Sequence, residues 1–321
     1  MPKVSVIIPN YNHSTYLKER IDSVLNQTFQ DFEVIILDDF STDNSRSIID
    51  IYRNHPRISH IIFNETNSGS TFKQWNKGIG LATGEWIWIA ESDDVAENNF
   101  LETLINGVER DKEAVLGYCQ SLRMNKTGEI TGSWLTQTTG HDTDFSDEIF
   151  SSGENFIRKD LIKQNVIPNA SAVLFKKNMA YLVNLVDEDI RYNSDWLFWM
   201  KLILNSKIYF CPLPLNYFRY HEKSVIASAK KQNSIPFRKK FDILMMLRFL
   251  SYLKNTNHDN LTEIVRQRIS NLNEEEFKFL LQKKIKKKAF TYFIAAIKTS
   301  SSPFLLFKRN LKFTFKHLCF P

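Results

Sequence analysis

Three apolar runs near the amino terminus each break off into polar or acidic residues, and this repetition restricts the fold more than any other feature of the chain. Val4-Ser5-Val6-Ile7-Ile8 runs into Pro9-Asn10-Tyr11-Asn12, and Glu33-Val34-Ile35-Ile36-Leu37 runs into Asp38-Asp39. Glu85-Trp86-Ile87-Trp88-Ile89-Ala90 stops in Glu91-Ser92-Asp93-Asp94. Apolar runs of this length, with helical stretches between them, indicate a parallel sheet covered on both faces. Between them, Leu17, Ile21, Val24 and Leu25 fall on one helical face after Ser14, and Thr42 or Asp43 can cap a helix carrying Ile48, Ile49 and Tyr52. Ile58 to Phe63 reads as a third strand and Phe72 to Leu81 as a third helix. Strand and helix alternate from residue 3 to about 122, the pattern of an α/β nucleotide-binding domain. Such sheets bind ligands outside the carboxyl ends of their strands, so the polar tips are expected to converge on one crevice.

Glu91, Asp93 and Asp94 stand within four positions and raise each other's pKa, so a cation is the expected compensation. Oxygen ligands alone select a hard ion such as Mg²⁺ or Mn²⁺. The competing reading is that Asp93 and Asp94 open the next helix as capping residues. No G-x-G-x-x-G follows the first strand and no G-x-x-x-x-G-K-[ST] occurs, which removes support for dinucleotide and P-loop sites.

Pro9, Tyr11 and Asn12, then Asp38 to Asp43, Asn67-Ser68-Gly69 with Asn76-Lys77-Gly78, and Glu91-Ser92-Asp93-Asp94 resemble, in order and spacing, the family 2 glycosyltransferases of the GT-A fold. The resemblance resumes at Asn193-Ser194-Asp195-Trp196-Leu197 and Tyr217-Phe218-Arg219-Tyr220-His221, and so covers residues 3 to 225. It implies a Rossmann-like, mostly parallel mixed sheet flanked by helices. Residues 1–225 would form the catalytic domain, with a nucleotide-sugar half (1–122) and an acceptor half (123–225), and 226–321 a helical, basic extension.

The resemblance also implies inverting transfer of a sugar from a nucleotide diphosphate, a UDP-sugar being the expected donor, to a hydroxyl of a glycan or lipid-linked acceptor. Pro9 and Tyr11 would line the base pocket, and Asn12, Asp38, Asn67, Gly69 and Asn76 belong to the same nucleotide-sugar set. Asp39 would accept a hydrogen bond from the N3 donor of uracil or thymine, which cytosine lacks and for which guanine offers donors of its own. Glu91 and Asp93 would hold ribose, while Asp94 with Asp93 and His221 would hold Mn²⁺ or Mg²⁺. Asp195 matches the general base, and Asn169, Ser171 and Trp196 are candidates for the sugar or acceptor pocket. The chain departs from the pattern twice beside the diphosphate: Glu91 replaces the usual Asp, and Trp75 stands where many relatives carry Arg. Diphosphate stabilisation then passes to the metal, to Lys73 or Lys77, or to His221. A sugar-1-phosphate nucleotidyltransferase is disfavoured because Pro9-Asn10-Tyr11-Asn12 is not a Gly-rich basic loop, and a catalytically silent binding module because Asp39, Asp93, Asp94 and Asp195 are all present.

Composition narrows the setting. Hydrophobic residues make up 43% and charged residues 24%, which excludes intrinsic disorder. Cys119, Cys211 and Cys319 are too few and dispersed for a disulfide framework, and Met1-Pro2-Lys3 leads at once into the first strand without a signal peptide, so a cytosolic location is expected. After Glu276 there are eleven Lys or Arg and no Asp or Glu, so the net charge of +6 comes from this tail. The tail also carries Phe290, Tyr292, Phe293, Ile294, Phe304 to Phe307, Leu311, Phe313, Phe315 and Phe320. Basic and aromatic residues in this mixture suit the interface of an anionic membrane rather than nucleic acid, and no apolar run is long enough to span one.

Overall fold

The computed structural model describes residues 1–190, 192–222 and 234–319. The chain forms two compact units, Met1–Glu222 and Lys223–Pro321. The boundary expected at 225 to 226 lies outside the described residues, as do Phe320 and the side chains of Leu311 and Phe315.

The strands are β1 (Val4–Asn10), β2 (Phe32–Asp38), β3 (Ile58–Phe63), β4 (Trp86–Ile89), β5 (Val95–Ala96), β6 (Ala114–Met124), β7 (Ile130–Ser133), β8 (Ile149–Ser152), β9 (Val173–Lys176) and β10 (Lys207–Arg219). The helices of the first unit are α1 (Ser14–Leu25), α2 (Ser45–Ile51), α3 (Thr71–Leu81), α4 (Phe100–Glu109), α5 (Leu135–Thr138), α6 (Gly153–Phe156), α7 (Lys177–Leu182) and α8 (Ser194–Ile203). Those of the second are α9 (Ser234–Leu253), α10 (Asp259–Gln282), α11 (Lys286–Thr299) and α12 (Pro303–Cys319).

Among the described residues all strands join one mixed sheet, ordered β3-β2-β1-β4-β9-β6-β10-β5, with β7 on β6 and β8 on β10. The first four strands are mutually parallel. β1 and β2 are buried along their whole length, as their unbroken apolar runs require, whereas β3 at the edge is half-buried. Leu17, Ile21 and Val24 of α1 are fully enclosed against this sheet, each contributing roughly 1.5–3 kcal/mol of burial. Helix α3 packs on β1 at Gly78, where an added Cβ would come within 2.4 Å of Ile7 Cγ2.

Register sets the crevice. Asn10 pairs with Asp38, and Ile7 pairs with Ile89, so the tips of β1, β2 and β4 end at neighbouring levels. β5 follows the acidic turn and pairs antiparallel with β10, Val95 opposite Tyr217 and Ala96 opposite Asn216. Continued outward, that register carries Asp93 and Asp94 to the end of β10, where Arg219 and His221 stand.

β10 runs from Lys207 to Arg219 and so begins well before the family motif that opens at Tyr217. Pro212 and Pro214 read locally as breaks, but the ladder with β6 passes them through register shifts between Cys211, Pro214 and Asn216. In the second unit, Phe277, Leu280, Leu281, Ala289 and Phe293 form an apolar core among α10, α11 and α12.

Candidate active site

Three chain segments meet at the acidic turn after β4: the loop before α1, the turn itself and the end of β10. Asp93 Oδ2 lies 2.9 Å from His221 Nε2. His13 joins them, and one ligand atom from each of His13, Asp93 and His221 lies within 4.8 Å of the others. The His13 and His221 rings meet edge to face at 5.3 Å, and His13 Nδ1 is 2.8 Å from Ser92 Oγ. Two imidazoles and one carboxylate fit a divalent cation. Asp93 and His221 belong to the ligand set expected from the sequence, His13 joins them in place of Asp94, and imidazole favours a transition ion such as Mn²⁺ over Mg²⁺.

Asp94 is turned elsewhere. Its Oδ1 accepts from the Arg219 backbone N–H at 2.9 Å and its Oδ2 from Asn169 Nδ2 at 2.6 Å, while Asn169 Oδ1 accepts from Asn216 Nδ2 at 3.0 Å. Asp94 therefore pins the turn to β10 and to the segment before β9. Among the described residues, His13 rather than Asp94 completes the cluster with Asp93 and His221.

The cluster carries its own countercharges. Arg20, fully buried on the core face of α1, donates through Nε to the Glu91 carbonyl at 2.8 Å, and its Nη1 and Nη2 are enclosed without a hydrogen-bond partner. Burial lowers its pKa to about 10, against the attraction of Asp94, Asp93 and Glu91. Arg219, also buried, donates through Nε to the Asp93 carbonyl at 2.8 Å, and its guanidinium lies 4.8 Å over the Tyr16 ring. Burial and the neighbouring Asp93 charge push the Glu91 carboxyl up to about 8 and Asp94 up to about 7. Burial also acts to raise Asp93, but the hydrogen bond to His221 and the charges of His13 and His221 outweigh it and hold Asp93 below the ordinary value. Beside the cation expected from the sequence, the fold itself compensates these acids in part. The charge of the buried Arg20 contributes, and burial favours the neutral form of Glu91.

Glu91 sits behind this cluster. Its backbone N–H donates to Ser171 Oγ at 3.1 Å, and its Oε1 accepts from Trp75 Nε1 at 2.8 Å. Ser171 is enclosed and also accepts through its carbonyl from Trp88 Nε1 at 2.8 Å, bracing the turn from within the fold.

The loops after β1 and β2 clasp one another. Asn12, at φ 58°, accepts through Oδ1 from Thr42 N at 2.7 Å. Asp38 accepts from Asn10 Nδ2 at 2.7 Å and from Ser41 N at 2.9 Å. Asp39 is buried, with both oxygens engaged: Oδ1 by Asn64 Nδ2 at 2.7 Å and Gln74 Nε2 at 3.0 Å, Oδ2 by Ser68 Oγ at 2.7 Å. Asn67 Nδ2 donates to the Asp39 carbonyl at 3.0 Å, and Asn67 Oδ1 accepts from Gly69 N at 2.8 Å. Gly69 takes φ +74°, which glycine adopts without penalty. Tyr11 is 47% exposed at the rim, whereas Pro9 is buried within β1. Phe40 holds φ 66° and is half exposed, a strained position for an aromatic residue beside a ligand crevice.

The acceptor-side candidates are more dispersed. Asn76 is used as a staple: its Nδ2 donates to the Val186 carbonyl at 2.9 Å and its Oδ1 accepts from Val186 N at 3.0 Å, tying α3 to the segment before α8. Asp195 lies in the first turn of α8, behind Asn193 in the left-handed region at φ 63°. Burial raises its pKa, against backbone hydrogen bonds that include the N–H of Trp196. Trp196 is buried and donates through Nε1 to the Leu161 carbonyl at 2.9 Å.

The sequence reading missed His13, Arg20 and Arg219. The signals were present: His13 directly follows the Tyr11-Asn12 tip of β1, Arg20 stands one residue before Ile21 on the apolar face of α1, and Arg219 ends the strand that leads to His221.

The comparisons with known proteins agree with this geometry. GlyG, a glycosyltransferase of Streptococcus pneumoniae, is 37% identical over 143 residues, 43% of this chain and 44% of GlyG, so the match spans less than half of that relative. The Campylobacter jejuni GalNAc(5)-diNAcBac-PP-undecaprenol beta-1,3-glucosyltransferase is 25% identical, over 72% of this chain and 69% of its own. The structure of Staphylococcus aureus TarS in complex with UDP-GlcNAc superposes with a TM-score of 0.70 at 20% identity, covering 98% of this chain and 89% of that one, which establishes the GT-A fold. The family profile described as glycosyl transferase family 2 matches residues 5–188, more than half of the chain. With its sheet, its acidic turn and its profile in agreement, this chain belongs to glycosyl transferase family 2.

Proposed function

We propose that the chain transfers a sugar, with inversion, from a UDP-sugar to a hydroxyl of a glycan or lipid-linked acceptor in cell-surface polysaccharide synthesis, at the cytosolic face of the membrane. The observation that carries this reading is the meeting of His13, Asp93 and His221 at the carboxyl end of β4. The UDP of the TarS complex and the undecaprenol-linked acceptor of the Campylobacter relative support the donor and acceptor classes.

Residues 1–225 carry the reaction in this reading, and 226–321 extend it. A divalent cation, Mn²⁺ by donor set, would neutralise charge developing on the departing diphosphate. His13, Asp93 and His221 would hold it, and Asp94 keeps the turn in register for them. Tyr11, Asn12 and the loops organised by Asp38, Asp39, Asn67 and Gly69 receive the nucleotide. Asp195 takes the proton of the attacking hydroxyl, for which a carboxylate with a raised pKa is the stronger base.

A panel of UDP-, GDP- and dTDP-sugars with Mn²⁺ and Mg²⁺, read by nucleotide release and thermal shift, tests the reading. A UDP-sugar with Mn²⁺ is expected to give the largest response. No stabilisation by any nucleotide in the presence of either metal would overturn it.

A further inference from the structure

The carboxy-terminal unit exposes apolar side chains within the most basic part of the chain. Helix packing divides the aromatic and aliphatic residues of this region into two sets. Phe277, Leu281, Ala289 and Phe293 are core, and Leu306 is buried, so none of these is available at a surface. Ile285, Phe290, Ile294, Phe304, Leu305 and Phe307 stay exposed, from 37% for Phe290 to 77% for Phe304. One such residue is ordinary, but Ile285 at the start of α11, Phe290 and Ile294 on α11, and Phe304, Leu305 and Phe307 on α12 are exposed within one short stretch of chain, which calls for a partner.

The helices do adjoin. The Phe293 ring of α11 lies 6.0 Å from Phe307 of α12, and Phe290 lies 6.2 Å from Phe277 of α10. On α11, Lys287, Phe290, Ile294 and Lys298 are exposed at three- and four-residue spacings and share a face. On α12, Phe304, Phe307 and Lys308 repeat the arrangement. Among the described residues, no helix is long and apolar enough to cross a membrane.

We propose that this two-helix face of α11 and α12 is a docking surface for an anionic lipid bilayer. The proposal rests on the membrane-side location given above and supplies the surface that achieves it. Charge selects the occupant. With eleven basic and no acidic residues after Glu276, a second copy would bring the same sign of charge against the face, whereas a layer of anionic headgroups neutralises it. The exposed Phe, Leu and Ile side chains enter the acyl boundary while lysine stems extend to the headgroups.

The test uses the full chain and cosedimentation with phosphatidylglycerol or phosphatidylcholine vesicles, at low and high salt. Wild-type protein is expected to partition onto phosphatidylglycerol at least tenfold more than onto phosphatidylcholine, and less at high salt. The triple variant Ile294→Ser, Phe304→Ser, Leu305→Ser changes only exposed positions. It is expected to lose at least tenfold in partitioning while keeping the wild-type melting temperature and UDP-induced thermal shift. Equal partitioning of variant and wild type, equal binding to both lipids, or a dimer by light scattering that the same substitutions abolish would overturn the proposal. Failure of wild-type protein to respond to UDP would count against the proposed reaction and leave the lipid result standing.

Discussion

The indole N–H of Trp75 donates to Glu91 Oε1 at 2.8 Å, which joins the two positions that the sequence resemblance to the family marked as departures from its expected pattern. The glutamate at the turn reaches a neutral donor on α3, where the resemblance led one to expect an arginine. Trp75 is itself buried, packed 5.1 Å from Phe72 and 6.2 Å from Trp199, so the donor is rigidly held. The two departures are one substitution in physical terms.

A double-mutant cycle checks this. Trp75→Phe removes the shorter of two donors to the half-buried Glu91 carboxyl and leaves Thr71 Oγ1 at 3.5 Å, at a cost of roughly 1–3 kcal/mol. Trp75→Phe and Glu91→Ala are each expected to weaken UDP binding by about tenfold by calorimetry, with the double variant no weaker than either single one. Additive losses would mean that the two residues act separately.

Removal of metal is expected to weaken UDP binding, and His13→Ala should reproduce much of that loss. Losing an outer partner of a ligand typically costs 10–100-fold in metal affinity, so losing a donor atom should cost at least about tenfold. Mn²⁺ titration followed by electron paramagnetic resonance gives the readout. Wild-type Mn²⁺ affinity in His13→Ala would leave His13 as a neighbour only.

Asp195→Asn is expected to lower kcat by roughly 10²-fold or more with little change in donor affinity. Because burial raises the Asp195 pKa above the ordinary 3.8, the base form is lost as pH falls through that raised value. The acid limb of kcat/KM in the wild type should therefore lie above pH 3.8 and vanish in the variant. An unchanged acid limb in Asp195→Asn would assign the base elsewhere.

Asp94→Asn tests the structural pin. The substituted amide cannot accept from both the Arg219 N–H and Asn169, so roughly 1–3 kcal/mol of stability should be lost from the catalytic unit. Each kcal/mol lowers its melting temperature by roughly 2–4 °C, readable by calorimetry. Asn169→Ala should lose a similar amount. A wild-type melting temperature in Asp94→Asn would show that this carboxylate is free for other work.

The strands β1, β2 and β4, their acidic and polar tips, and the first helices were legible because each is written in a contiguous stretch. Burial on both faces leaves an unbroken apolar run, and an amphipathic helix leaves a stripe at helical spacing. β10 was only half legible, since Pro212 and Pro214 signal a break locally and only the shifted ladder with β6 accommodates them. The contact of His13, Asp93 and His221 depends on the pairing of two-residue β5 with β10, a long-range register that no local pattern encodes. Asp94 could not be separated from Asp93 by composition either, because adjacent residues leave a turn in different directions. The same holds for the tail, where sequence shows that aromatic and basic residues mix, but only helix packing decides that Phe293 is core and Phe304 faces out.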